Sequence, residues 1–305
     1  MTEKYPSLVS LQRSTSKTIY LRTREYWPRF KRVLNKFAAY ILLVFIVLSM
    51  AMPLFWMVLS SFKTDGENLS YPPTVIPHEW TLQHYYILFQ RTSFPIWFKN
   101  SLLVAIGTTL TAIAISSMGA YVFSRFRYRF FELFSRLILF AYMVPTVLLL
   151  IPVFIIVHSL NLSNTLYGLL VVYNAFLIPY GLWTLRSYFS GIPHEIEEAA
   201  LIDGCNRWQA FRIVVLPQVL PGIISTALFA FTVSWNEYLY ASVLLWSSDI
   251  QTLSAGVATF MGELAPSSWG LLMAAGVMIT LPLIILFTLL QRYWIAGLGS
   301  GAVKG

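Results

Sequence analysis

Six long apolar stretches, 38–61, 99–122, 133–158, 164–185, 219–245 and 268–290, leave this chain few ways to fold. A helix of about 20 residues crosses the roughly 30 Å of a bilayer's hydrocarbon, and each stretch is long enough. Hydrocarbon offers backbone N–H and C=O groups no water, so a spanning segment must satisfy them within itself or in a closed barrel. The runs lack the alternating pattern of barrel strands. The expected fold class is therefore an all-α membrane protein with six transmembrane helices. Composition agrees: 57% of residues are apolar and 11% charged, too little polar surface to wrap a water-soluble globule.

Basic residues set the expected orientation, because cytoplasmic loops retain Lys and Arg. Residues 1–37 carry nine of them, 123–136 four (Arg125, Arg127, Arg129, Arg136), 186–217 three and 291–305 two, against Lys63, Arg91 and Lys99 on the other side. The loop 246–267 has Asp249 and Glu263 and no base. This predicts a multi-pass protein of the cytoplasmic (inner) membrane with both termini inside. The net charge of +8 then follows from topology and attraction to anionic membrane lipids. Bases spread over several flanks are no nucleic-acid footprint.

The segment 1–37 is either a surface-lying stretch, with Tyr5, Tyr20 and Trp27 among its bases, or a disordered leader. The first apolar run is too long for a signal-peptide core. The loop 62–98 combines Pro72, Pro73, Pro77 and Pro95 with Trp80, Tyr85, Tyr86 and Trp97, which suits an outward docking surface or simple interfacial anchoring. Pro53, Pro145, Pro152, Pro179 and Pro282 are candidate bends, and Gly107, Ser116, Ser117, Gly119 and Ala120 a close-packing seam. Cys205 is the single cysteine, so no internal disulfide forms. His78, His84, His158 and His194 have no metal-ligand spacing.

The inner loop 186–218 holds the most pointed pattern. Pro193 suits a helix start, and Glu195, Glu197 and Glu198 fill the first turns, where carboxylates complement the positive helix end. A short helix over 193–203 is expected, with Ala199 and Ala200 leaving room for a close partner. Gly204 permits a reversal at positive φ, and Asn206 with Gln209 matches a capping box for a second piece that Leu216-Pro217 ends. In the fifth run, Asn236 and Glu237 form a polar pair. An intramembrane carboxylate is a functional candidate, here either a pathway gate facing a partner or an outer-leaflet anchor.

The string Glu198-Ala199-Ala200, Asp203-Gly204, Phe211, Ile213, Leu216-Pro217, lying between the fourth and fifth runs, resembles the EAA loop of binding-protein-dependent ABC permeases, with Cys205 where Ala is usual. Phe62-Lys63, Trp235-Asn236-Glu237-Tyr238 and the ending Gln291-Arg292-Tyr293-Trp294 through Gly301-Ala302-Val303-Lys304-Gly305 narrow the resemblance to the second permease subunit of maltose-type carbohydrate importers, over residues 38–305. The resemblance implies a type I ABC importer permease fold with a transmembrane core at 97–290 and a coupling helix in the EAA loop. It implies ATPase-coupling roles for Glu198, Ala199, Ala200, Asp203, Gly204, Phe211, Leu216 and Pro217, with Glu198 meeting an arginine of the ATPase. The tail residues Gly301, Ala302 and Lys304 would reach the ATPase dimer, although the residues alone describe a solvated end. The implied partners are a second permease, an ATP-binding subunit dimer and an external solute-binding protein. No cofactor is expected in this chain, ATP and magnesium residing on the ATPase.

Rival functions fit less well. An ion-coupled carrier should show buried charge relays and repeats, and here one carboxylate stands in six unrepeated runs. No His-Glu-x-x-His, Gly-x-Ser-x-Gly or Gly-x4-Gly-Lys-Ser/Thr string is present, so neither hydrolysis nor nucleotide binding can be assembled. A channel is opposed by the inner loop alone.

Overall fold

The structure, a computed structural model, describes residues 8–126, 129, 133, 137–138, 140, 143–264 and 268–302, with side chains described in 35–126, 129, 133, 137–138, 140, 143–262 and 268–291. Residues 1–58 and 59–305 form two compact units. The first is helical from Leu8, within α1 (Leu8–Ser61), and its apolar stretch from Asn35 has the length and hydropathy of a span. Residues 8–37 are thus drawn into one helix with that span, with Pro53 accommodated inside it.

In the second unit the loop 62–98 is built rather than irregular. It contains α2 (Asp65–Asn68) and α3 (Gln83–Gln90), and α4 (Phe94–Arg125) begins within it, with Pro95 in the first turn where no helix bond is lost. Lys63 is fully buried and donates to the Thr74 carbonyl. The Glu67 carboxylate accepts from the Thr74 hydroxyl at 2.7 Å and from the His78 backbone N–H at 3.0 Å, with the His78 ring at 2.9 Å. The Thr74 bond first, then those from His78, hold its pKa down at about 2, against an ordinary 4.5. A carboxyl depressed on folding adds stability above its ordinary pKa and loses it as pH falls through the folded value. Protection of the amides in 64–80, the slowing of their exchange relative to the unstructured rate at the same pH, is therefore expected to fall between about pH 4.5 and 2, and Glu67→Gln should remove that dependence.

The centre is the pair α4 and the helix after the next connection. Pro145 and the 3-10 turn Thr146–Leu149 lead into α5 (Leu150–Ser159), and α6 (Leu166–Ser190) then packs along α4 over most of its length. The small-residue seam does what its composition predicts: Gly107 faces Leu170, Gly119 faces Leu182, and Ser116 fits against Gly181 with its hydroxyl on the Ile178 carbonyl. Thr111 donates to the Asn174 Oδ1 at 3.0 Å, joining the pair by a polar contact inside the span.

The third expected span, 133–158, needs correction in its described part, since Met143–Pro145 is a turn and the helix starts again only at Leu150. Its first half falls mostly outside the described residues. After α6 come α7 (His194–Ile202), α8 (Arg207–Gln209), a wide π-type turn over Ala210–Val215, α9 (Leu216–Gln218) and α10 (Leu220–Asn236), the last bent by 76° from the segment Arg207–Gln218. The fifth span is also shorter than the expected 219–245. The helix stops at Asn236, and α11 (Leu239–Leu244) follows a break. Nor is 246–267 a plain loop, for it contains α12 (Leu253–Leu264).

Side chains of α4 explain how that segment folds back: Asn100 donates to the carbonyls of Asp249 (3.0 Å) and Gln251 (2.9 Å), Trp97 Nε1 to Ser248 (2.7 Å), and Ser101 Oγ accepts from Leu253 N–H (2.7 Å). Backbone groups away from water are thereby satisfied. Finally α13 (Trp269–Ala302) carries the sixth span, with Pro282 inside it, and continues as far as Ala302 into the tail that the residues alone described as a solvated end. Among the described residues, four helices are long and apolar enough to cross a membrane, five with the bent pair.

Candidate functional site

Pro193 precedes α7, Glu195 and Glu197 stand in its first turn, and the helix ends in a Schellman closure. Cys205 N–H reaches the Ala200 carbonyl (3.0 Å) and Gly204 N–H the Leu201 carbonyl (3.2 Å), with Gly204 at φ +90°. A Cβ at Gly204 meets nothing within 4 Å, so substitution there costs backbone strain alone, about 1–2 kcal/mol. In Gly204→Ala the amides at 204 and 205 are expected to exchange roughly 5- to 30-fold faster, measured by hydrogen exchange. The Asn206–Gln209 capping box is present in both directions, at 2.8 and 2.9 Å.

The two faces of α7 differ. Glu198, Ala199, Ile202 and Asp203 are exposed, Ile202 to 85%, and Trp208 and Ile213 extend the exposed apolar surface. Glu197 and Ala200 are buried. Ala200 therefore packs inward, whereas the sequence pattern offered both alanines to a partner. Phe211 is internal as well, in a cluster with Tyr121, Leu185, Phe189, Val215 and Val219, its ring 4.8 Å from that of Tyr121. Leu216 and Pro217 lie on the wall of an apolar groove of about 530 Å³ between α4 and the Arg207–Gln218 segment. Of the string's residues, Glu198, Ala199, Asp203 and Gly204 thus share an open face, while Ala200 and Phe211 hold that face in place.

Sequence reasoning missed the buried contacts. Glu197 accepts a hydrogen bond from the Tyr121 hydroxyl and pairs with Arg125 Nε at 2.8 Å; both side chains of the ion pair are almost wholly buried. Tyr121 and Arg125 are four apart at the end of α4, one helical turn, so their shared face was available as a signal. Arg125 instead entered only as a topology charge.

Glu237 sits at the break between α10 and α11. Its carboxylate accepts from the Tyr173 hydroxyl (2.6 Å) and the N–H groups of Tyr240 (2.9 Å) and Ala241 (3.1 Å). It satisfies two of the orphan donors that open α11. Asn236 is exposed, its amide on the Thr232 carbonyl. It lines a cavity of about 310 Å³ with Trp235, Tyr238 and Met261, which Glu237 does not. Gly301 and Ala302 end α13, and Lys304 lies outside the described residues. Among the described residues no group of His, Cys, Asp and Glu could hold a metal ion.

Residues 112–298 match the family described as the binding-protein-dependent transport system inner membrane component. The chain belongs to this family. It is similar to the trehalose/maltose transport system permease protein MalG of Thermococcus litoralis, 35% identical over 255 residues, 83% of this chain and 91% of the relative. It is also similar to the diacetylchitobiose uptake system permease protein DasC of Streptomyces coelicolor, 33% identical over 262 residues, 86% and 95% of the two chains. In fold it resembles a chain of a bacterial ABC transporter involved in import of the acidic polysaccharide alginate, with a TM-score of 0.74, 24% identity and coverage of 86% and 96%. This ABC importer permease is thus a multi-pass inner-membrane subunit, and the ATP-hydrolysing subunit is a separate chain.

Proposed function

We propose that this permease forms one half of the translocation path of an ATP-driven carbohydrate importer, and that α7 is the element through which a partner ATPase moves it. The supporting observation is the split character of α7: one face carries an uncovered carboxylate, Glu198, beside Ala199 and an exposed Ile202, while the other is fastened to α4. A rigid rod with one free, chemically specific face suits the transfer of contact energy between chains. Relatives named for trehalose/maltose and diacetylchitobiose uptake favour an oligosaccharide, disaccharide or polyol-like solute.

On this reading the loop 186–218 and both termini face the cytoplasm, and Glu198 meets a basic side chain of the ATPase, which holds ATP and magnesium. Asp203 and Gly204 set the angle of the rod, and Gly301, Ala302 and Lys304 run toward the ATPase dimer. A second permease completes the path, and an external solute-binding protein delivers the solute at the face carrying 62–98. The Asn236-lined cavity belongs to the path, with Glu237 as its framework. The test is reconstitution of the assembled complex in proteoliposomes with a panel of labelled sugars. Uptake should require ATP on the side of 186–218 and the receptor on the other. Uptake by this chain alone would overturn the reading.

A further inference from the structure

The connector between α6 and α7 is three residues long, Gly191-Ile192-Pro193, so a single long side chain can reach both the connector and the helix beyond it. Arg125, the last residue of α4, does so: its Nη1 donates to the Ile192 carbonyl at 3.1 Å, inside the connector, and its Nε to Glu197 at 2.8 Å, one turn into α7. Tyr121, a turn earlier on α4, donates to the second Glu197 oxygen and packs its ring edge-on against Phe189 and tilted against Phe211. Arg207 adds a cation–π contact with Phe126, 5.5 Å from the ring centroid, just beyond α4.

We infer that Arg125, Glu197 and Tyr121 form a hinge clamp: they position α7 so that displacement of its free face moves α4 and α6 as one body rather than swinging the loop about Gly191. The neighbouring glutamates then divide the task, Glu198 toward the partner and Glu197 toward this chain's own core. The clamp rests on the reading of α7 as the ATPase-docking element. A buried guanidinium that donates to two separate acceptors suits such a role, because its donors are held in a fixed fork while a lysine offers one point charge.

The test uses Glu197→Gln, Arg125→Lys and Tyr121→Phe, the last removing one hydroxyl and so insuring against loss of folding. A nitroxide on Cys205, the chain's single cysteine, reports the motion of α7 in the full chain in nanodiscs, and solute moved per ATP is measured in the assembled complex. The expected result is a more mobile label, an ATPase that still co-purifies, and solute per ATP reduced at least about 5-fold, the low end of coupling free energies between sites. Unchanged mobility, or unchanged solute per ATP, in all three variants overturns the clamp. If Glu198→Lys abolishes uptake while the three variants transport normally, the clamp alone fails. If Glu198→Lys also transports normally, the docking role of α7 fails with it.

Discussion

Glu198→Lys should abolish uptake while leaving the protein folded and inserted. The side chain is exposed and makes no described contact that holds the fold, so reversal of its charge leaves the buried side of α7 unchanged. What changes is the face that the proposed docking role presents to the ATPase. A carboxylate that meets a basic partner becomes a like charge at close quarters, and like-charge juxtaposition across an interface costs several kcal/mol. Retention of the ATPase on the purified permease is expected to fall at least tenfold, about the factor that 1.4 kcal/mol supplies. Blue native electrophoresis and uptake assays read the two effects together. Wild-type uptake in this variant would remove α7 from the mechanism.

A large loss of stability is expected from Gly256→Val. A Cβ at Gly256 falls 2.2 Å from the ring of Trp97, whose Nε1 is already committed to the Ser248 carbonyl at 2.7 Å. The ring is buried beside Phe260 and cannot retreat without breaking that bond. Overpacking of this kind costs about 1–3 kcal/mol, which corresponds to roughly 2–12 °C in melting temperature. A thermal-shift assay in detergent measures it. Gly262→Ala is the control, because a Cβ there meets nothing within 4 Å, and its melting temperature should not fall, since Ala favours the helix over Gly.

The spans at α4, α6 and α13 were legible because apolar length alone specifies a membrane helix. So was α7: Pro193, the glutamates of its first turn and Gly204 are start and stop signals that act locally. The break at Glu237 was not. A hydropathy window asks whether a segment prefers lipid, whereas the break depends on whether a nearby group satisfies the freed N–H donors. Here that group is the Glu237 carboxylate, held by Tyr173 sixty-four residues earlier in the chain. The same limit hid the division between Glu197 and Glu198. Adjacent helix residues point about 100° apart, and only the position of Arg125, seventy-two residues before Glu197, decides which of the two turns inward. The clamp was distant information; the exposed face was local.

The wide turn over Ala210–Val215 gives this stretch a one-sided tolerance of length change. A π-type turn accommodates one residue more than the α-helical count. Deleting one residue there would let the segment close as ordinary helix with the phase on its far side kept, whereas inserting one would turn everything beyond it by about 100°. Surface connections usually absorb gaps in either direction, but across 210–215 the chain has slack for a loss and none for a gain.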